Sequence, residues 1–217
     1  MFKNKKPVIA IDGTAGSGKG TLAKKLASHF CFDHLDSGIL YRIFAHEILN
    51  KNLKIRDIDT INIDLNLILN KKKLKSMKLR SEKITKFSSE IAKEEKVRKK
   101  LIFIQREFSN YPPTGIGSVI DGRDITSVIT PNAEAKFYID ADIKIRAKRR
   151  QHQLKLGDSS YYEVLEQLKN RDLKDMNRTL SPLKKTTDSF YLNTTKLDEE
   201  ESFHIARDYI KKKLNFN

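Results

Sequence analysis

Residues 7–21 read Pro7-Val-Ile-Ala-Ile-Asp-Gly-Thr-Ala-Gly-Ser-Gly-Lys-Gly-Thr21. The first five are apolar and rich in β-branched side chains, which predicts a buried strand that ends in a turn at Asp12. From Gly18 to Phe30 a leucine or phenylalanine recurs at every fourth position, which predicts a helix. The stretch is therefore a strand, a glycine-rich turn and a helix in immediate succession.

The turn carries the pattern Gly-x-x-x-x-Gly-Lys. Glycines let the backbone curl so that successive N–H groups point at phosphate oxygens, and the positive end of the following helix faces the same anion. Lys19 adds a full positive charge near the outer phosphates. An ordinary glycine-rich turn is the alternative, but it does not account for this lysine at a strand-to-helix junction. The candidate phosphate-binding residues are Gly13, Thr14, Ala15, Gly16, Ser17, Gly18, Lys19, Gly20 and Thr21.

The residue after the lysine separates classes of phosphate-binding protein. The usual motif has Ser or Thr there as a magnesium ligand, whereas this chain has Gly20 followed by Thr21. The sequence Gly-Lys-Gly-Thr resembles the nucleoside monophosphate kinases and disfavours a GTPase or a motor ATPase. A dinucleotide-binding fingerprint also fails, because Thr21 stands where the third glycine of that pattern belongs.

Beyond this stretch, short apolar runs alternate with helical patterns, which predicts an α/β fold with a mainly parallel sheet. No internal repeat or long linker divides the chain, so we expect one domain over residues 1–217. Alternating apolar positions in Asn66–Leu79 predict a small hairpin, and an apolar stripe predicts one long helix at Ser88–Phe108. The other predicted strands are Phe32–Leu35, Ser118–Ile120, Ala135–Ile139 and Ser189–Leu192, and the other predicted helices are Ile39–Leu49, Ile143–Leu154, Tyr161–Arg178 and one from the capping box at Asp198 to about Leu214.

Composition narrows the class of protein without identifying it. The 43 Lys and Arg against 28 Asp and Glu leave a net charge of +15, which suits nucleic acid, a membrane surface or small anions. One cysteine excludes a disulfide framework and a cysteine-based zinc site, and fits a reducing, cytoplasmic location. No apolar run approaches the roughly 18 residues of a membrane-spanning helix, so we expect no membrane partner.

Arginines and carboxylates recur at the predicted carboxyl ends of strands, where open α/β sheets bind ligands. One motif is Leu35-Asp-Ser-Gly-Ile-Leu-Tyr-Arg42 and another is Asp121-Gly-Arg-Asp124. Arg171, Asp175 and Arg178 share one face of a predicted helix. Salt bridges on exposed helices are the alternative interpretation of these charges. Guanidinium groups bind phosphate bidentately, however, and a phosphate loop elsewhere in the chain favours an anion site.

Together these motifs, with Asn170-Arg-Asp-Leu-Lys-Asp-Met-Asn-Arg178, resemble the bacterial cytidylate kinases in order and spacing from end to end. The resemblance implies a P-loop kinase fold with a small acceptor-side insert at about 60–105 and a helical lid at about 148–165. It also implies transfer of the γ-phosphoryl group of ATP to CMP or dCMP. Asn193 departs from the family pattern, which usually has Asp there.

The resemblance implies a role for each matching residue. Ser37, Tyr41 and Arg42 would line the acceptor pocket, Ser89, Arg98 and Asp124 would read the cytosine edge, Arg123 would hold the acceptor phosphate, and Arg171 with Asp175 would reach the ribose. Arg146, Arg150 and Arg178 would close over the transferring phosphoryl group, so that the catalytic set is Lys19, Arg123, Arg146, Arg150 and Arg178. The implied cofactor is Mg²⁺ carried by ATP, with no direct protein ligand and contact through water to Thr21 or Asp121.

Two other functions stay open at this point. One is a P-loop kinase for AMP, UMP, dTMP or shikimate, which a substrate panel would distinguish. The other is a nucleotide-switched nucleic-acid-binding protein, which the net charge suggests but no stacked-aromatic signature supports. We expect a monomer without a nucleic-acid partner. Because a nucleotide phosphate is already anionic, no general base is needed, and we interpret histidines such as His34 as surface or packing residues.

Overall fold

In a computed structural model, which describes residues 6–61, 63 and 71–215, a parallel sheet forms the centre of the protein. The five strands have the order β2-β3-β1-β4-β5, and every neighbouring pair is parallel. The predicted parallel α/β fold is therefore confirmed. The strands are β1 (Val8–Gly13), β2 (Asp33–Asp36), β3 (Ser118–Gly122), β4 (Ala135–Asp140) and β5 (Phe190–Asn193).

Helices cover both faces of the sheet. The alternation of side chains along each strand directs one set of apolar residues to each face. On one face, α1 and the last helix, α8, bury residues such as Leu26 and Ile210 against Ile11. On the other face, α2 and α5 bury residues such as Phe44 and Phe108 against Ala10 and its neighbours. The helices are α1 (Lys19–Phe30), α2 (Ser37–Asn50), α3 (Lys71–Ser76), α4 (Glu82–Ile91), α5 (Glu95–Asn110), α6 (Ile143–Leu154), α7 (Tyr161–Asn177) and α8 (Glu199–Leu214).

The prediction of one long helix from Ser88 to Phe108 is wrong, because α4 ends at Ile91 and α5 begins at Glu95. The backbone between them turns through hydrogen bonds from Lys93 N to the Glu90 carbonyl and from Glu94 N to the Ile91 carbonyl. An apolar stripe continues across this break because both helices pack on the same core cluster. Periodicity alone therefore predicts one helix where the structure has two.

The predicted hairpin at Asn66–Leu79 is also wrong where the structure describes it, since residues 71–76 form α3. Residues 66–70 lie outside the described part of the chain. Leu74 and Met77 both pack on the core cluster of α2 and α5, and their three-residue spacing fits a helical turn. Within the described residues of the expected insert, helices and turns are found and no strand is assigned.

The segment expected to act as a lid consists of the end of α6, the start of α7 and the loop between them. A single 3₁₀ turn, Asp158–Ser160, lies in that loop. A small apolar cluster packs these helices against the phosphate loop: Val164, Leu165 and Leu168 of α7 meet Ala147 of α6 and Ala15.

No helix among the described residues is long and apolar enough to cross a lipid bilayer.

Candidate active site

The phosphate loop joins β1 to α1 with the backbone curl that the sequence predicts. Gly16 and Gly18 have φ angles of +75° and +89°, a region that glycine adopts without steric cost. Gly13 is required for a second reason, because a Cβ there would lie 2.0 Å from the carbonyl oxygen of Ile139. α1 begins at Lys19, so its unpaired N–H groups open onto the loop. The predicted strand, glycine-rich turn and helix are therefore present.

The loop is held from behind by buried charged groups. The N–H of Ala15 donates to Asp172 Oδ1 at 2.9 Å, and Arg146 Nη1 donates to the Ala15 carbonyl at 2.9 Å. Arg146 is buried, and it also pairs with Asp172 and donates to the Ala141 carbonyl. In this conformation Arg146 therefore supports the loop, while its expected contact with the transferring phosphoryl group stays a prediction.

Lys19 is half-buried at the start of α1. Burial, reinforced by the nearby Arg123 cation, lowers the pKa of Lys19 to about 7. Its Nζ lies 3.3 Å from the carbonyl oxygen of Thr14. A bound polyphosphate would restore the protonated form, because opposite charge favours it.

Asp121 lies beside the start of α1. Its carboxylate is buried. The carboxylate oxygen nearer to Gly20 is Oδ2, which lies 3.7 Å from the position that a Cβ on Gly20 would occupy. Its other oxygen, Oδ1, accepts a hydrogen bond from His34 Nε2 at 2.7 Å. Thr21, in contrast, is exposed and lines a cavity of about 220 Å³ on the side of Arg149.

That cavity lies between the start of α1 and the loop after β5. Arg149 closes one side of it through hydrogen bonds to the carbonyls of Thr194, at 2.7 Å, and Leu197, at 3.2 Å. Thr194 in turn donates to the Ser17 carbonyl of the phosphate loop at 3.0 Å. Asn193, which departs from the family pattern, accepts the N–H of Thr195 and so shapes the loop.

On the acceptor side, Asp124 is the centre of a buried charge network. Its carboxylate pairs with Arg98 through one oxygen and lies 3.5 Å from Arg178 Nη2 through the other. The Arg98 guanidinium also lies 5.9 Å from the centroid of the Tyr41 ring. Burial, with the Asp124 charge, raises the pKa of Tyr41 to about 12, and the Tyr41 hydroxyl has no hydrogen-bond partner among the described residues.

A second group of arginines lies nearby with too few carboxylates to neutralise it. Arg123 Nε donates to Asp175 at 2.7 Å, while the buried Nε of Arg171 has no partner in the described part of the chain. Burial and neighbouring arginines lower the pKa of Arg42 and of Arg171 to about 10. Among the described residues, the hydrogen bonds of Arg42 go to two neutral oxygens, the Leu79 carbonyl and the Thr85 hydroxyl. Such an excess of half-buried cations favours binding of an anion.

The remaining expected residues surround this group. Ser37 is buried, and its Oγ would lie 2.4 Å from a Cβ at Gly122, so the glycine leaves room for it. Ser89 donates to the Thr85 carbonyl at 3.2 Å, on the same helix turn that Arg42 contacts. Arg150 donates to Gln153 at 2.7 Å, and burial with the charge of Arg80 lowers the pKa of Arg150.

Several contacting residues escaped the sequence interpretation. Arg80 pairs with Asp36 at 3.3 Å, and the charge of Arg80 lowers the pKa of both Arg42 and Arg150. Asp12 accepts three hydrogen bonds from Ile125 and Thr126, directly after Asp124, although burial raises the pKa of Asp12 to about 6. His34, interpreted as a surface or packing residue, binds Asp121. Asp172 supports the phosphate loop. Asp12 and Asp172 lie within motifs of the sequence, whereas Arg80 and His34 had no such signal.

Metal-ligating side chains are not clustered in the ranges that the structure describes. No group of three His, Cys, Asp or Glu residues there is arranged to hold a metal ion. Asp121 is a buried carboxylate that acts electrostatically on Lys19, and its Oδ2 lies near position 20 at the start of α1.

The comparisons with known proteins decide the family. The sequence profile of the family described as cytidylate kinase matches residues 9–212. The chain belongs to the cytidylate kinase family. A cytidylate kinase of Bartonella bacilliformis is 45% identical over 206 residues, which cover 92% of each chain. One of Brucella suis is 39% identical over 205 residues, covering 94% of this chain and 92% of the relative.

Solved structures support the fold alone. An uncharacterized protein of Eubacterium ventriosum superposes with a TM-score of 0.55 at 17% identity, covering 95% of this chain and 99% of the other. Protein TT1252 of Thermus thermophilus gives a TM-score of 0.53 at 18% identity, covering 97% and 99%. The family match and the curated relatives confirm the resemblance drawn from the motifs.

Proposed function

We propose that this protein transfers the γ-phosphoryl group of ATP to CMP and dCMP, giving CDP and dCDP. The observation that carries the proposal is the nearness of two sets of cationic groups, the phosphate loop with Lys19 and the arginines beside it. Lys19 belongs to the phosphate loop, and Arg123 and Arg171 lie close enough for their charges to lower the pKa of Lys19. The triphosphate of ATP and the phosphate of CMP repel each other, and this excess of cations offsets the repulsion.

ATP is the donor in this proposal, and it occupies the phosphate loop. The loop N–H groups and Lys19 hold the outer phosphates, as in other strand–loop–helix phosphate sites. The cavity of about 220 Å³ beside Arg149 and Leu197 receives the donor base. This cavity adjoins Ser17 and Thr21 of the phosphate loop.

CMP is the acceptor, and Asp124 selects its base. Cytosine presents an amino group beside the ring N3 and O2 acceptors, so a carboxylate accepts from the amino group while Arg98 and Ser89 donate to the acceptors. Uracil presents a carbonyl where cytosine has the amino group, and that carbonyl would face the carboxylate oxygen of Asp124. We therefore expect CMP to be preferred over UMP. Arg42 and Arg123 hold the acceptor phosphate, and Arg171 with Asp175 contacts the ribose.

Transfer in this site needs positioning and charge stabilisation. The attacking oxygen of CMP is already anionic at neutral pH, so no side chain has to remove a proton. Arg123, Arg150 and Arg178 surround the reacting groups with cations. Mg²⁺ carried with ATP would neutralise charge on the donor phosphates, and Asp121 fits contact with it through water, because position 20 has no side chain and Oδ2 faces it.

Closure of the segment 148–165 would exclude water and suppress hydrolysis of ATP. Within this proposal the protein is a cytoplasmic monomer that acts on nucleotides and not on nucleic acid.

A substrate panel tests the proposed function. Purified protein is incubated with ATP and Mg²⁺ and with CMP, dCMP, UMP, AMP or shikimate, and release of ADP is coupled to NADH oxidation. We expect rapid turnover with CMP and dCMP and much slower turnover with the others. Lys19→Ala should lower transfer by orders of magnitude without loss of the fold. Comparable rates with CMP and UMP at low concentration, or near-normal turnover in Lys19→Ala, would contradict the assignment.

A further inference from the structure

We infer that His34 is a positioning residue, which holds the Asp121 carboxylate in the orientation that serves the metal-bound form of the donor nucleotide. The inference rests on the proposed use of Mg·ATP. It concerns a residue outside every motif by which the sequence suggested a kinase.

The parallel register of β2 and β3 brings the two side chains together. His34 of β2 lies opposite Val119 of β3, and Asp121 follows Val119 by two residues on the same face of the sheet. That face is covered by α1, because Val119 packs in the same core cluster as Leu22. A histidine at position 34 can therefore reach the carboxylate under the start of α1, and the Nε2–Oδ1 distance is 2.7 Å.

The proton in this hydrogen bond is held by the histidine. Burial acts to raise the pKa of Asp121, but the bond and charge from His34, with the Lys19 and Arg123 cations, outweigh burial and hold that pKa below its ordinary value. An ionised carboxylate only accepts, so His34 Nε2 carries the hydrogen and donates it.

The bond leaves one carboxylate oxygen for the active site. With Oδ1 occupied by His34, Oδ2 is the oxygen near Gly20, 3.7 Å from where a Cβ would stand there. Without the histidine, the carboxylate could rotate about its Cβ–Cγ bond and turn toward Lys19 or Arg123, the two cations that act on it. Groups that orient a residue at a metal site in this way typically change metal affinity by about 10–100-fold when they are removed.

A purely structural role is the competing explanation. The strands are already joined by four residue pairs from Asp33 with Ser118 to Asp36 with Asp121. The sheet therefore does not require the side-chain bond. The two explanations differ in what they predict for ATP without a metal ion, which also contacts the phosphate loop but has no need of Asp121.

The test compares binding of ATP with and without Mg²⁺ by calorimetry, using His34→Leu in the full-length protein. In the presence of Mg²⁺ we expect affinity for ATP to fall by about tenfold. In EDTA, affinity for ATP should stay within about twofold of the wild type, as should affinity for CMP. His34→Gln should restore most of the metal-dependent affinity because its amide can donate to Oδ1.

His204→Leu is the matched control, since His204 is exposed on α8, and it should bind all three ligands as the wild type does. If His34→Leu does not fold, the same comparison with His34→Ala carries the same expectation. Equal losses with and without Mg²⁺ would overturn the inference, as would no loss in either. Because the readout is binding of ATP, failure of this inference is distinct from failure of CMP phosphorylation, which would overturn the proposed function.

Discussion

Asp124→Asn should shift the substrate preference of this protein from CMP toward UMP. The substitution keeps the volume of the side chain and removes its charge. An amide can donate to the carbonyl that uracil presents where cytosine has its amino group, whereas the carboxylate can only accept. The change thus reverses one hydrogen bond at the base and leaves the shape of the pocket in place.

The magnitude follows from the burial of Asp124. The carboxylate is 5% exposed, so its hydrogen bond to the base forms with little competition from water. A hydrogen bond to a charged group is worth about 1.5–3 kcal/mol, and each 1.36 kcal/mol is tenfold in rate, so kcat/KM for CMP should fall by about 10–150-fold. The ratio of CMP to UMP activity should fall by at least about tenfold.

The same substitution affects stability, because Arg98 and Arg178 lose their shared counter-ion. Removing one partner of a buried pair costs about 3–5 kcal/mol. Each arginine keeps a carbonyl acceptor, Ala92 for Arg98 at 3.1 Å and Ser181 for Arg178 at 2.6 Å, which favours the lower figure. For a chain of this size, a loss of about 3 kcal/mol lowers the melting temperature by about 6–12 °C.

The assay is coupled ADP release at subsaturating CMP and UMP, at a temperature where the variant is folded by circular dichroism. Asp188→Asn is the matched control, because Asp188 pairs with Lys136 at 2.5 Å away from the pocket and undergoes the same chemical change. Its CMP to UMP ratio should equal that of the wild type. Equal losses for CMP and UMP in Asp124→Asn would refute the assignment of base recognition to Asp124 and leave it a structural role.

Three further predictions concern the phosphate loop. The pKa of Lys19 is about 7 in the free protein, and bound phosphate raises it. Affinity for metal-free ATP should therefore be highest below pH 7 and fall by up to about tenfold per pH unit above it, until the pKa of the bound state is reached. Calorimetry at several pH values should show this slope in the wild type and not in Lys19→Met. Gly13→Ala places a Cβ 2.0 Å from a backbone oxygen of β4, so it should lower the free energy of unfolding in urea by about 3 kcal/mol or more. Gly157→Ala, with open space around it, should change that free energy by less than about 1 kcal/mol. Equal stability of the two variants would contradict the steric argument. Arg146→Met should lower the free energy of unfolding by about 3–5 kcal/mol, because it leaves Asp172 buried without its cation. Adding Asp172→Leu should recover part of that loss. An additive second loss would show that the pair does not stabilise the loop.

The sequence by itself determined the parallel α/β fold and the phosphate loop. Both are written in short-range patterns: β-branched runs, helical spacing and a Gly-x-x-x-x-Gly-Lys motif at the junction of Val8–Gly13 with α1. Neighbouring residues are enough to specify the loop, because its glycines and the start of the adjacent helix set its backbone conformation. The identity of the family was also readable, since its motifs appear at matching positions from Gly13 to Arg178.

Only the tertiary structure decided how the charges of those motifs are used. The sum of +15 says nothing about Arg146, which braces the loop through Asp172, or about Arg171, whose Nε lies buried without a partner among the described residues. His34 meets Asp121, 87 positions away, because two parallel strands are in register. Desolvation and the nearness of charges distant in sequence set the pKa of each group, and both depend on packing that a linear pattern does not encode.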